Sequence, residues 1–190
     1  MKEIILIRHT KTELPPGICY GNSDVDIDKS FLSHAIAIKT TLDKLSTIKQ
    51  VYSSPLKRCF KLANYLFDNE INTDNRLKEL DFGKWELTAW NILPRTDVEN
   101  WCTDLDSNAV HGGESFNDLY LRVIEFWKTV AIHQTGSTAI VTHAGVIRAI
   151  LAYLLEMPKK NAFSINLTYG QMIKVELFDD RNFKITFLNQ

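Results

Sequence analysis

The sequence predicts an α/β fold, a three-layer α/β/α sandwich with a mostly parallel central sheet. Two unbroken apolar runs, residues 4–7 and 139–141, are typical of strands that are buried on both faces. Amphipathic segments with helical periodicity alternate with these and other short strand patterns, and the chain ends in a hairpin-like pair of strands. Such alternation favours parallel strands joined by helices.

Polar residues follow both apolar runs. Arg8 and His9 come directly after the first, and His143 comes directly after Thr142 at the end of the second. In α/β sheets the carboxyl ends of the strands carry the functional sites. A cation beside an imidazole suits an anion and a nucleophile, although a lone histidine in a core is usually structural.

The segments after the first strand are assigned from turn and cap residues. Residues 13–26 form a loop rich in Pro, Gly, Asn and Asp, which is either a plain surface crossover or a functional loop. A helix is predicted from a cap at Ser30 or Ser33 to about residue 46, with Ala35, Ile38, Leu42 and Leu45 on its apolar face.

A strand at residues 50–53 precedes a second helix, with Ser54 as its cap and Pro55 at its first position. We expect its buried face to contain Leu56, Phe60, Ala63 and Phe67. Arg58 lies in the first turn, where the helix dipole disfavours a cation. An arginine beside free helix N–H groups also makes a cradle for an anion.

The middle of the chain contains a strand at residues 71–75 and then two acids, Glu79 and Asp81, in a loop. A single acid in a loop is most often a solvated charge. Residues 84–114 are assigned to short helices and loops that form a candidate cap or lid.

The C-terminal half is more regular. We predict helices at residues 115–134 and 146–155, and strands at 138–142, 162–167, 172–178 and 183–188. Residues 179–182 form the turn between the last two strands. We expect one domain over residues 1–190.

Composition excludes several classes. A formal net charge of −1 gives no field that favours nucleic acid, and no run approaches a membrane span of about 20 apolar residues. The three cysteines, Cys19, Cys59 and Cys102, have no spacing typical of disulfides or zinc sites. No nucleotide-cofactor fingerprint is present. We expect a cytoplasmic monomer or homodimer without cofactor, metal, membrane or nucleic-acid partner.

Five segments, taken together, resemble the histidine phosphatase superfamily, also called the phosphoglycerate-mutase-like family. They are residues 6–10 (LIRHT), 53–58 (SSPLKR), 77–86 (LKELDFGKWE), 112–115 (GGES) and 141–145 (VTHAG). The resemblance covers nearly the whole chain, in the family's order, and implies a metal-independent phosphatase acting on a small-molecule phosphate monoester.

The resemblance also implies roles for individual residues. His9 would be the nucleophile that forms a phosphohistidine, and Arg8 and Arg58 would hold the phosphate oxygens. Glu79 would be the general acid and then the base, and His143 a protonated electrostatic partner. Substrate-binding positions would be Thr12, Tyr20, Gly21, Asn22 and Ala144.

The first loop departs from the family pattern. Thr10 stands where the family usually has glycine, and Lys11 stands where an acid is common. The asparagine that often contacts phosphate falls near Pro15, so we expect that this contact is either lost or replaced by Asn22.

The segment GICYGNSDV at residues 17–25 is most like the α-ribazole phosphatase branch of the family, which acts in cobalamin nucleotide-loop assembly. Its bulky leaving group would suit an apolar lid. Five residues are available for that lid, although ordinary packing explains each of them equally well: Tyr20, Trp85, Trp90, Trp101 and His111.

Other functions remain open. A broad-specificity phosphatase of the same fold is the nearest alternative, and a mutase is less favoured because the chain is compact. A metallohydrolase would need a closed set of three ligands, and the arginines would repel its cation. A non-catalytic phospho-ligand binding module would not need both histidines and Glu79.

Overall fold

The computed structural model describes residues 2–179 and 182–189. Its strands are β1 (Lys2–Arg8), β2 (Ile18–Cys19), β3 (Ile48–Ser53), β4 (Ile71–Thr73), β5 (Thr88–Ala89), β6 (Ser137–Thr142), β7 (Met172–Leu177) and β8 (Phe183–Phe187). Its α-helices are α1 (Phe31–Leu42), α2 (Lys57–Leu66), α3 (Arg95–Thr103), α4 (Phe116–Thr129) and α5 (Ala144–Leu154).

Six strands form the central sheet in the order β4-β3-β6-β1-β7-β8. The pairs β4–β3, β3–β6 and β6–β1 are parallel, whereas β7 is antiparallel to both of its neighbours. Only β7 therefore runs against the other five strands of this sheet. The strands β2 and β5 form a separate antiparallel ladder outside it.

Alternating side chains of β1 divide the core into two layers. Ile4 and Leu6 belong to one buried cluster with the apolar faces of α4 and α5, and Ile5 and Ile7 belong to a second cluster with α1 and α2. This alternation follows from the two-residue period of a strand. The fold class predicted from the sequence, helices on both faces of a largely parallel sheet, is confirmed.

The start of α2 differs from the prediction. The helix begins at Lys57 with Leu56 at its N-cap, so Pro55 is not in the helix and Ser54 is not its cap. The Ser54 hydroxyl instead bonds the ring of His143 at 2.8 Å. The Ser54 hydroxyl is therefore used in a contact with a residue distant in the chain, and not to cap the helix.

The buried face of α2 also differs. Phe60, expected in the core, is 39% exposed, and the fully buried positions include Arg58, Cys59 and Leu62. The predicted Leu56 and Ala63 are buried, whereas Phe60 and Phe67 each lie one residue after a buried position, Cys59 and Leu66. Periodicity missed this because a buried cation is not counted as a core residue.

Other boundaries move as well. Ser30 occupies the N-cap of α1 without a side-chain cap hydrogen bond, and α1 ends at Leu42 rather than near residue 46. The helix α4 ends at Thr129, and a 3₁₀ turn, Ala131–His133, follows it.

Residues 162–167 do not form a strand. The first half of this segment belongs to a 3₁₀ helix, Lys159–Ser164, whose Ala162 is buried in the α5 side of the core. An alternating apolar pattern suits one turn of such a helix as well as a strand. In the predicted turn at residues 179–182, residues 180 and 181 lie outside the described part of the chain.

The N-terminus of α4 has a complete capping box, in which the Ser115 hydroxyl accepts from the Asp118 N–H and the Asp118 carboxylate accepts from Ser115. Ser115→Ala should lower the free energy of unfolding by about 1 kcal/mol because it leaves helix donors unpaired. Urea denaturation measures this loss. The control Ser33→Ala, at an exposed position that caps nothing, should stay within about 0.5 kcal/mol of the parent protein. Equal losses would show that the box contributes nothing.

Candidate active site

Strand pairing brings His9 and His143 together. Arg8 lies opposite Thr142 in the parallel β1–β6 ladder, so the next residue of each strand leaves the same edge of the sheet. The backbone N–H of His9 donates to the Thr142 carbonyl at 2.9 Å, and the centroids of the two imidazole rings are 5.1 Å apart. The predicted meeting of the two histidines is therefore present in the structure.

The ring of His9 is held in one tautomer. His9 is 2% exposed, and its Nδ1 lies 2.7 Å from the carbonyl oxygen of Thr10. A carbonyl only accepts, so Nδ1 carries the proton and Nε2 keeps its lone pair. Burial, together with the positive charges of Arg58 and Arg8, holds the pKa of His9 well below its usual 6.5. The ring is therefore neutral near pH 7 and nucleophilic at Nε2.

His143 has a different environment. Its Nε2 lies 2.8 Å from the Ser54 hydroxyl, and the Cys59 sulfur is 3.4 Å from the same nitrogen. Burial, and then the charge of Arg58, holds its pKa well below the usual value. Without an anion, the guanidinium groups of Arg58 and Arg8 disfavour a third cation beside them. A protonated His143 therefore stays a prediction for the site with its phosphate group bound.

Arg8 is held by the segment that precedes β7. Its Nη1 donates to the carbonyl of Leu167, and its guanidinium carbon lies 4.2 Å from the ring centroid of Tyr169. The backbone N–H of Arg8 also donates to the carbonyl of Gln171 at 2.9 Å. These contacts fix both the main chain and the side chain of Arg8 at the edge of the sheet.

Arg58 is fully buried and tied to the loop after β2. Its Nη1 donates to the Ser23 carbonyl at 2.7 Å, and its Nη2 donates to the Gly21 carbonyl at 2.5 Å. Neutral carbonyls satisfy donors without cancelling charge. The guanidinium therefore keeps its positive charge directed toward the histidines.

Three buried donors lie in this region without a protein acceptor. Within residues 2–179 and 182–189, Arg8 Nε, Arg58 Nε and the Thr10 hydroxyl have no hydrogen-bond partner. Buried polar groups are normally paired, and unpaired ones next to a functional group indicate a ligand position. The positive charges of the two arginines, together with these three donors, suit an anion.

Glu79 is placed by the start of α5. One of its carboxylate oxygens accepts from the Gly145 N–H at 3.1 Å, and the other accepts from the Leu80 N–H at 3.0 Å. A Cβ at position 145 would lie 2.2 Å from a Glu79 oxygen, so a larger residue there would displace the carboxylate from this position. Ala144, which was predicted to bind substrate, is buried and is the first residue of α5, directly after His143.

The loop that carries Glu79 is supported by residues whose role the sequence did not indicate. Arg122 of α4 donates to the carbonyls of Arg76, Lys78 and Glu79 at 2.8–3.0 Å. Its guanidinium also pairs with both oxygens of Glu114. An arginine in the middle of a strongly amphipathic helix was the available signal.

A second missed residue, Glu86, organises the first loop. Its carboxylate accepts from the backbone N–H groups of Gly21, Asn22 and Ser23 at 2.9–3.2 Å. The Asn22 amide donates to Asp81 at 2.9 Å. Gly21 and Asn22 thus direct their N–H donors to carboxylates, and this segment offers its carbonyls to Arg58. The use of Asn22 in place of the family's asparagine stays a prediction, and in this structure its amide is paired with Asp81.

Thr12 and Tyr20, predicted to line the pocket, contact each other. The Thr12 hydroxyl donates to the Tyr20 hydroxyl at 3.2 Å, and the Tyr20 hydroxyl lies 3.0 Å from that of Tyr169. Tyr169 was not predicted. Its ring centroid is 5.7 Å from that of His9, and it lies just before β7, in a segment that the sequence analysis left unassigned.

The aromatic residues of the candidate cap pack on one another. Trp85, Trp90 and Trp101 have ring centroids 5.8–6.3 Å apart, and Phe82 lies 5.9 Å from two of them. Trp85 is 8% exposed, so its surface is used in this cluster. His111 is exposed and accepts a backbone hydrogen bond from Lys84 through its carbonyl.

No group of three or more His, Cys, Asp or Glu side chains in the described ranges is arranged to hold a metal ion. None of the helices described here is both long and apolar enough to cross a membrane.

Relatives of this chain have several activities. It is 27% identical over 173 residues to adenosylcobalamin/alpha-ribazole phosphatase of Salmonella typhimurium, with 87% of this chain and 85% of that protein covered. It is 29% identical over 193 residues to a 2,3-bisphosphoglycerate-dependent phosphoglycerate mutase of Thermoplasma acidophilum, with 93% and 88% covered. It is 32% identical over 158 residues to a metal-independent phosphoserine phosphatase of Arabidopsis thaliana, with 78% and 66% covered.

The fold is shared with solved structures. The alpha-ribazole phosphatase of Shigella flexneri superposes with a TM-score of 0.86 at 25% identity, over 99% of this chain and 96% of that one. The family model of the histidine phosphatase superfamily (branch 1) matches residues 4–190. This match spans all five segments from which the resemblance was recognised, and the chain belongs to the histidine phosphatase superfamily.

Proposed function

We propose that the protein hydrolyses phosphate monoesters through a phosphohistidine on His9. The observation that carries this proposal is the neutral, buried imidazole whose Nε2 lone pair is free, set between two arginines with unpaired N–H donors. A phosphate monoester supplies the acceptors that these donors lack. Its phosphorus also offers an electrophile to Nε2.

The first step is an in-line displacement. His9 Nε2 forms a bond to phosphorus as the bond from phosphorus to the ester oxygen breaks. Arg8 and Arg58 stabilise the charge on the non-bridging oxygens. The negative charge of a bound phosphate opposes the charge of the arginines at His143. That imidazole then takes up a proton from solvent, donates a hydrogen bond through it to a non-bridging oxygen, and returns the proton to solvent when inorganic phosphate leaves.

Glu79 completes the proton balance. As a carboxylic acid it gives its proton to the leaving oxygen in the first step. As a carboxylate it takes a proton from the water that attacks the phosphohistidine in the second. Inorganic phosphate leaves, and His9 regains its lone pair. No step requires a metal.

For the substrate we propose α-ribazole 5′-phosphate, or its cobamide-linked form, and hence a role in cobalamin nucleotide-loop assembly in the cytoplasm. The GICYGNSDV segment and the similarity to the phosphatases of Salmonella and Shigella support this choice. A broad-specificity phosphatase acting on sugar phosphates or other small esters is the second candidate, favoured by the similarity to a phosphoserine phosphatase. A monomer or homodimer is sufficient for either activity.

His9→Ala should abolish turnover and the acid-labile phosphoenzyme, because no other described side chain places a free nitrogen between the arginines. Rapid quenching with ³²P-labelled substrate measures both. His133→Ala, an exposed histidine before β6 at the opposite end of the sheet, is the matched control and should react normally. A labelled His9→Ala protein would contradict the assignment of the nucleophile.

Glu79→Gln should slow phosphoryl transfer most where the leaving oxygen needs a proton. We expect a loss of kcat/KM of about 10²-fold or more on alkyl phosphates and a much smaller loss on p-nitrophenyl phosphate. Steady-state kinetics on the two substrates provide the comparison within one variant. Equal losses on both would remove Glu79 from the role of acid.

The substrate proposal is tested by phosphate release from α-ribazole 5′-phosphate beside sugar phosphates, phosphoserine and 3-phosphoglycerate, with and without a chelator. A preference for α-ribazole phosphate of about tenfold or more in kcat/KM, or about 1.4 kcal/mol, would support it. Flat values would favour the broad-specificity phosphatase. Inactivation by the chelator, reversed by added metal, would overturn the metal-independent mechanism.

A further inference from the structure

Two tyrosines meet between the two arginines of the site. The ring of Tyr169 packs 4.2 Å from the guanidinium carbon of Arg8, and the ring of Tyr20 lies 5.3 Å from that of Arg58. The tyrosine hydroxyls are 3.0 Å apart. A continuous path of contacts therefore runs from one guanidinium to the other across the mouth of the site.

The Tyr169 end of this path is fixed to β1. The N–H of Gly170 donates to the His9 carbonyl at 3.1 Å, and the backbone N–H of Arg8 donates to the Gln171 carbonyl. Gly170 has a φ of +71°, which favours glycine and lets the chain turn directly after the tyrosine. The main chain at Tyr169 therefore moves with the segment that carries Arg8 and His9.

The Tyr20 end is fixed to the first loop. Arg58 donates to the carbonyls of Gly21 and Ser23, so it is coupled to the residues that directly follow Tyr20. The Thr12 hydroxyl donates to Tyr20, and either tyrosine hydroxyl can donate in the contact between Tyr20 and Tyr169. Burial raises the pKa of Tyr20 to about 12, so this phenol keeps its proton across the working pH range.

We propose that the Tyr20–Tyr169 hydroxyl pair positions Arg8 and Arg58 relative to each other and thereby sets the affinity of the site for the phosphate group. This inference rests on the proposed function. A phosphate group requires both guanidiniums at one spacing, whereas the hydrogen bonds and cation–π contacts of each arginine tie it only to its own support. The hydroxyl contact joins the two supports. Tyr169 and Tyr20 act as positioning residues, through the arginines.

The test uses Tyr20→Phe, Tyr169→Phe and the double variant in the full chain. Each substitution keeps the ring that faces an arginine and removes the hydroxyl contact. The control is Tyr65→Phe on α2, where a tyrosine of similar exposure packs against Phe31 away from the site. Calorimetry with inorganic phosphate gives Kd, and p-nitrophenyl phosphate hydrolysis gives KM and kcat separately.

We expect each single variant to raise Kd and KM by about three- to tenfold, the size of one lost hydrogen bond, with a smaller change in kcat. The double variant should be no weaker than Tyr20→Phe alone, because either substitution breaks the same contact. Tyr65→Phe should match the parent protein.

Other results separate the two claims. Unchanged Kd in both single variants, or losses that multiply in the double variant, would overturn the positioning role while the phosphatase activity stands. A parent protein that binds phosphate but hydrolyses no ester would overturn the proposed function. The Kd values of the tyrosine variants for inorganic phosphate would then still test the positioning role of the hydroxyl pair. A parent protein that does not bind phosphate would overturn both.

Discussion

The parallel pairing of β1 with β6 determines where the proposed reacting groups lie. Because Arg8 is opposite Thr142, the two following histidines leave adjacent strands at the same height. A shift of one residue in this register would turn Ile4 and Leu6 toward the wrong layer of the core. The same apolar contacts that stabilise the sheet therefore hold His9 and His143 5.1 Å apart.

The site collects the positive charges of Arg8 and Arg58, neither of which donates to a carboxylate within the described residues. Two imidazoles and the guanidinium of Arg58 are almost completely buried, and the donors of Arg8 and Arg58 go to carbonyl oxygens rather than to carboxylates. Burial and the arginines keep both imidazoles neutral. The desolvation cost of such an arrangement is offset only when an anion binds, which is how a site can prefer a phosphate ester over a neutral molecule.

Carboxylates hold the loops around this cationic centre. Glu86 binds successive N–H groups of the first loop, and Glu114 pairs with Arg122, which in turn binds the carbonyls of the loop before Glu79. The aromatic cluster around Trp101 packs behind these loops. Glu86 and Glu114 therefore stabilise the backbone of the loops, whereas Glu79 is proposed to exchange protons with the substrate and water.

The sequence by itself determined the alternating helices and strands, the two central strands and the residues that follow them. Apolar runs, helical periodicity and a family pattern spread over the chain are local properties, and they indicated Arg8, His9, Arg58, Glu79 and His143. Only the tertiary structure decided the start of α2, the 3₁₀ helix at Lys159–Ser164 and the lowered pKa of His143. It also decided the roles of Glu86 and Tyr169. Each of these depends on a partner distant in the chain, because a hydroxyl, a carboxylate or a charge acts through whatever the fold places beside it.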